Sequence, residues 1–113
     1  MTTTKTGQNA ETAVAEQLVR EGYEILDQNW KTKICEIDII ARKNKVIYMV
    51  EVKYRQSLSQ GGGLEYIGPK KQKQMVFAAR VWCQQASWEG DWRLMAASVQ
   101  GESLQNIDLI EII

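Results

Sequence analysis

The chain has 113 residues, 44% of them apolar and 25% charged, which suits one globular domain around one core. Fourteen basic residues balance fourteen acidic ones, so no net charge draws the whole chain to a polyanion. Histidine is absent, which excludes histidine bases, histidine metal ligands and the usual triads. Hydrolytic chemistry here has to rest on carboxylates, lysine and a hard cation. No apolar run is long enough to cross a bilayer, and Met1 to Lys5 lack the apolar core of a signal peptide. A cytoplasmic address without membrane attachment is the expectation. Cys35 and Cys83 fit no metal-finger or redox spacing and are expected as reduced, buried thiols.

Residues 8–22 read as a helix, in which Ala10, Val14 and Leu18 repeat every four residues and Gly22 supplies the stop. Tyr23 to Trp30, Lys33 to Arg42 and Val46 to Tyr54 read as strands, the second and third joined by a tight Lys43-Asn44-Lys45 turn. A polar loop with Gly61-Gly62-Gly63 follows. Pro69 then opens a helix to about residue 86, with Met75, Ala78, Ala79, Trp82 and Ala86 as its apolar stripe. Trp92 to Val99 and Asn106 to Ile112 are the last strands, separated by a turn at Gly101-Glu102. The order αβββαββ predicts an α/β fold: an antiparallel meander, a right-handed parallel crossover, and a mixed sheet flanked by helices. Residues 1–113 form one domain, with 1–6 expected to be flexible.

The second strand carries the chemical signal. Alternation places Cys35, Ile37, Ile39 and Ala41 on one face, with Glu36 and Asp38 on the other. In the third strand Glu51 and Lys53 share a face, opposite Tyr48, Val50 and Val52. If Asn44-Lys45 is the hairpin loop, Asp38 faces Glu51 and Glu36 faces Lys53. Opposed side chains have Cβ atoms about 5 Å apart, where two like charges repel. A divalent cation relieves that repulsion, and oxygen donors suit Mg²⁺ or Mn²⁺. Lys53 then stands where it can orient a water or stabilise charge on a phosphate. Glu11 falls on the sheet-facing stripe of the first helix and is the third candidate donor. A plainer reading makes this a solvated sheet face with a Glu36–Lys53 ion pair, and Glu11 an acid favoured near a helix N-terminus.

Between Arg42 and Lys73, eight basic residues face only Glu51 and Glu65. Arg55, Lys70, Lys71 and Lys73 are the candidates for holding phosphates. Trp30, Tyr54 and Tyr66 are candidates for stacking on bases, or else belong to the core edge.

Taken in order, Gly7-x-x-Ala10-Glu11, Gly22-Tyr23-Glu24-Ile25-Leu26, Asn29-Trp30-Lys31, Glu36-Ile37-Asp38-Ile39-Ile40-Ala41 and Val50-Glu51-Val52-Lys53-Tyr54-Arg55 resemble the YraN-like family of bacterial proteins. That family is assigned to the PD-(D/E)XK restriction-endonuclease-like superfamily and is related in architecture to Holliday-junction resolvases. The resemblance implies that Asp38 and Glu51 are metal-binding acids, Lys53 the motif lysine, Glu11 the helix acid and Lys70 or Lys71 the lysine opening the next helix. Ala10 and Cys35 stand where the family usually has glycine. The implied activity is a Mg²⁺- or Mn²⁺-dependent endonuclease acting on DNA, with branched or otherwise structured DNA as the candidate substrate. A homodimer would suit a two-stranded substrate. Two other readings stay open: a non-catalytic nucleic-acid-binding module with the same fold, and a protein-interaction domain presenting its apolar last strand.

Overall fold

The computed structural model describes residues 3–55, 67–101, 103–104 and 106–113, with side chains from Asn9 onward, Arg55 excepted. Among the described residues, two helices and five strands follow one another as α1 (Thr3–Arg20), β1 (Glu24–Lys31), β2 (Glu36–Lys43), β3 (Val46–Arg55), α2 (Pro69–Gln85), β4 (Asp91–Gln100) and β5 (Asn106–Glu111). The strands form one mixed sheet in the order β1-β2-β3-β4-β5. β1, β2 and β3 are an antiparallel meander, β3 and β4 run parallel, and β5 returns antiparallel on β4. The parallel step is the one that α2 bridges, as a crossover requires.

The two helices cover opposite faces of the sheet. Along β4, Leu94 and Ala96 join the core under α2, while Met95, Ala97 and Val99 join the core under α1. β3 divides in the same way: Ile47 and Met49 toward α2, Tyr48, Val50 and Val52 toward α1. Both faces of the central strands are therefore apolar, and Leu94 to Val99 form an unbroken buried run. α1 contributes Ala10, Val14, Ala15 and Leu18. α2 contributes Met75, Ala78, Ala79 and Cys83; Trp82 is only partly buried, and Ala86 is an exposed cap rather than part of the stripe. Both cysteines are buried free thiols, as expected.

Local boundaries depart from the sequence reading where side chains compete with the backbone pattern. α1 begins at Thr3 rather than residue 8, because the apolar stripe that marks it starts only at Ala10. It ends as anticipated: Gly22 adopts φ +96°, and the Tyr23 N–H returns to the Leu18 carbonyl. β2 starts at Glu36 rather than Lys33. Thr32 captures the segment before it, its Oγ1 accepting the Ile34 and Cys35 N–H groups at 3.2 and 3.0 Å. Glu102 and the loop with Gly61-Gly62-Gly63 lie outside the described residues. Among the described residues, no helix is long and apolar enough to cross a membrane.

Leu18 is fully buried under the sheet. Leu18→Ala should lower unfolding free energy by about 3 kcal/mol with an unchanged denaturant slope, measured by guanidinium chloride titration.

Candidate functional site

The Asn44-Lys45 turn sets the β2–β3 register as anticipated, with Lys43 opposite Val46 and Ile39 opposite Val50. Regular pairing stops there, one residue short of Asp38. Instead, Asp38 Oδ2 accepts the Val52 N–H at 2.8 Å, replacing a ladder hydrogen bond with a side-chain one. The substitution shifts the phase of β2. Cys35 and Ile37 belong to the α2-side core, and Ile39 and Ala41 to the α1-side core. The single apolar face expected for these four residues is thus divided at Asp38. The sheet opens between β2 and β3, and side chains from both helices reach the opening.

Glu51 lies on the α2 face of β3 with only 9% of its side chain exposed. It forms ion pairs with Lys53 Nζ at 3.2 Å and Lys71 Nζ at 3.6 Å. The Glu36–Lys53 pair of the plainer reading does not form. Lys53 turns to the buried acid two residues away, and Glu36 pairs with Lys31 across the β1–β2 ladder at 3.9 Å. Burial makes the difference, because the desolvated Glu51 needs a cation more than the exposed Glu36 does.

Asp38 and Glu51 are within hydrogen-bonding reach of each other. Burial, then the Glu51 charge, pushes the Asp38 carboxyl from an ordinary 3.8 up to about 7, against the lowering effect of the Val52 N–H. Glu11 approaches from α1. Its pKa is raised by burial, and further by Glu36 and Glu51, while a hydrogen bond from Asn29 opposes the rise. Asn29 sits in β1 at φ +52°, between the Gln28–Ile39 and Trp30–Ile37 pairs, and so across from Asp38.

The structure therefore brings Asp38, Glu51, Lys53 and Lys71 together, with Glu11 and its partner Asn29 near enough for Glu11 to feel the charges of Glu36 and Glu51. The sequence flagged Lys71 for phosphate and gave Asn29 no role. Its left-handed φ marks it only in the structure, and no signal in the sequence singles it out. Lys70 and Lys73 lie on the exposed side of α2, without an ion-pair partner among the described residues. Arg55 closes β3, but its side chain and all of Tyr66 lie outside the described residues. Trp30 and Tyr54 pack against the core.

No three acid or thiol side chains converge as a ready-made cation cage among the described residues. What fits a cation is the donor chemistry. Two carboxyls in contact carry either a shared proton or two negative charges, and a hard divalent ion takes the place of the proton. A groove of about 590 Å³ between α1 and Ser103, Leu104 and Ile107 contains none of these groups.

The Asp38 shift has a defined consequence for stability. The folded chain holds this proton more tightly than the unfolded chain. The Asp38 contribution to stability is thus full below about pH 4 and is lost as pH rises through about 7. In EDTA, the melting temperature should drop between pH 5 and pH 8. Asp38→Asn, which keeps an acceptor for the Val52 N–H, should flatten that slope and melt higher than wild type at pH 8. Mn²⁺ at pH 8 should raise the wild-type melting temperature and leave Asp38→Asn unmoved.

The sequence profile described as Uncharacterised protein family UPF0102 matches residues 10–112, which include every acid and lysine of the cluster. A UPF0102 protein of Pseudomonas putida is 35% identical over 100 residues, covering 87% of this chain and 81% of its own length. One from Vibrio campbellii is 33% identical over 108 residues, covering 93% and 88%. One from Fusobacterium nucleatum is 38% identical over 89 residues, covering 79% and 75%. A match over nearly the whole chain, with relatives that share most of their length, places this chain in the UPF0102 family.

Proposed function

We propose that the chain is a restriction-endonuclease-like, metal-dependent DNA endonuclease of the PD-(D/E)XK type. The observation that carries this reading is the contact between Asp38 and Glu51 at the opening of β2 from β3, where burial and mutual repulsion raise the Asp38 pKa to about 7. Two like charges placed this close cost stability unless a proton or a cation relieves them. Perturbed carboxyl pairs of this kind concentrate at sites that do chemistry.

Asp38 and Glu51 are the residues that would hold Mg²⁺ or Mn²⁺, with Glu11 reaching the same site from α1. The bound ion would supply a Lewis acid for a phosphoryl oxygen and lower the pKa of a water. The chain's own groups do the rest. The Val52 N–H fixes the Asp38 carboxylate at 2.8 Å. Lys71 offsets the Glu51 charge from the α2 side. Lys53, 30% exposed, keeps its ammonium beside Glu51 and can donate to a phosphate oxygen or orient the attacking water. Lys70 and Lys73 extend the positive surface along α2, with Arg55 at the end of β3 as a further phosphate contact. Branched or structured DNA is the proposed substrate, and two copies of the chain would serve its two strands.

The second reading, a nucleic-acid-binding module without catalysis, draws on one observation: Lys53 and Lys71 already neutralise Glu51 without any ion. It predicts that loss of Asp38 leaves DNA binding and function intact.

The deciding assay incubates the protein with end-labelled single-stranded, duplex, flap and four-way-junction DNA in Mg²⁺, Mn²⁺ or EDTA. Cleavage should need the metal and fall by roughly a hundredfold or more in Asp38→Ala and Lys53→Ala. No cleavage, with salt-sensitive binding equal in all three proteins, favours the binding module.

A further inference from the structure

We infer that the outward ridge of α2 is a docking surface for an unpaired DNA strand leaving the acid cluster, an extension that rests on the cluster acting on DNA. α2 carries Lys70, Lys71, Lys73 and Arg80 and no acidic residue, in a chain whose net charge is zero. Lys71 is engaged by Glu51. Lys70, Lys73 and Arg80 are exposed and form no ion pair with any described residue. α1 shows no such bias, since Glu16 and Arg20 are both on its exposed side.

The lysines stand at the wrong end of the helix for its own stability. A helix N-terminus carries partial positive charge and favours anions, so Lys70 and Lys71 in the first turn oppose the macrodipole. An anion laid along the ridge removes that conflict.

Phe77 narrows the kind of anion. It stands in the same exposed row, at the spacing 70, 73, 77 and 80 that puts residues on one side of a helix. Its side chain remains 48% exposed, while the opposite side of α2 supplies the core through Met75, Ala78, Ala79 and Cys83. An aromatic ring set between cations offers a stacking platform to a base, and the cations take the flanking phosphates. Bases in a duplex are already stacked, so the ring selects an unpaired strand. The row from Lys70 to Arg80 is about 15 Å long and begins one residue from the lysine that touches Glu51. The strand it holds is therefore continuous with one at the acids.

The test is fluorescence anisotropy in EDTA with labelled single-stranded DNA, single-stranded RNA of the same sequence and blunt duplex DNA. Wild type is compared with Phe77→Ala, Phe77→Trp and the double variant Lys73→Gln/Arg80→Gln. These positions are exposed, and thermal melts check that each variant folds. Phe77→Ala should bind single-stranded DNA roughly tenfold more weakly, with duplex affinity unchanged, and Phe77→Trp should retain wild-type affinity. The double variant should flatten the logarithmic salt dependence for single-stranded DNA by about 1.4. Undiminished single-strand affinity in Phe77→Ala, an unchanged salt slope, a preference for RNA or no binding by wild type would each overturn the inference. EDTA separates it from the nuclease reading. Ridge-dependent binding without cleavage in Mg²⁺ refutes the nuclease alone. Metal-dependent cleavage undiminished in the ridge variants refutes the ridge alone.

Discussion

Two carboxylates held in contact within a largely buried part of the sheet are the constraint around which this structure is arranged. Asp38 and Glu51 come from adjacent antiparallel strands, and the tight Asn44-Lys45 turn fixes the pairing as far as Ile39 and Val50, the residues next to them. Left as two bare anions, they would oppose the folding of β2 onto β3. The surrounding features answer that conflict. The Val52 N–H takes one Asp38 oxygen, Lys53 and Lys71 flank Glu51, and the Asp38 proton is held up to about pH 7.

The sheet is modified to make this possible. Pairing between β2 and β3 ends at Ile39 and Val50, and the strand changes which core it feeds on either side of Asp38. The opening has access to both covering layers, so α1 delivers Glu11 and α2 delivers Lys71. Asn29, held at a left-handed φ in β1, supplies Glu11 with a hydrogen bond that offsets part of its repulsion from the other acids. A continuous ladder with uniform faces could not gather groups from two opposite sides of one sheet.

Much of this was legible in the sequence because the governing signals are local. The four-residue repeat of Ala10, Val14 and Leu18 marks α1, and Pro69 marks the start of α2. The two-residue turn determines which acid faces which. What the sequence did not reveal depends on competition between side chains and backbone. Thr32 removes residues 33–35 from β2. Asp38 breaks the alternation that would have kept Ile37 and Ile39 together. Alternation describes faces and not burial, so by itself it leaves the partner of Lys53 open between Glu36 and Glu51. Glu36 is half-exposed and lies beyond the last β2–β3 pair, whereas Glu51 is desolvated. Lys71 was assigned to phosphate because nothing in one sequence shows that the first turn of α2 lies over Glu51.

Direct cation binding tests the central claim most simply. Titration calorimetry with Mn²⁺ at pH 8, where Asp38 is largely ionised, would compare wild type with Asp38→Asn and Glu51→Gln. One Mn²⁺ should bind per chain in wild type, and that binding should be lost in both variants, each still folded. No binding by wild type, or binding undiminished when either acid is neutralised, would contradict that claim.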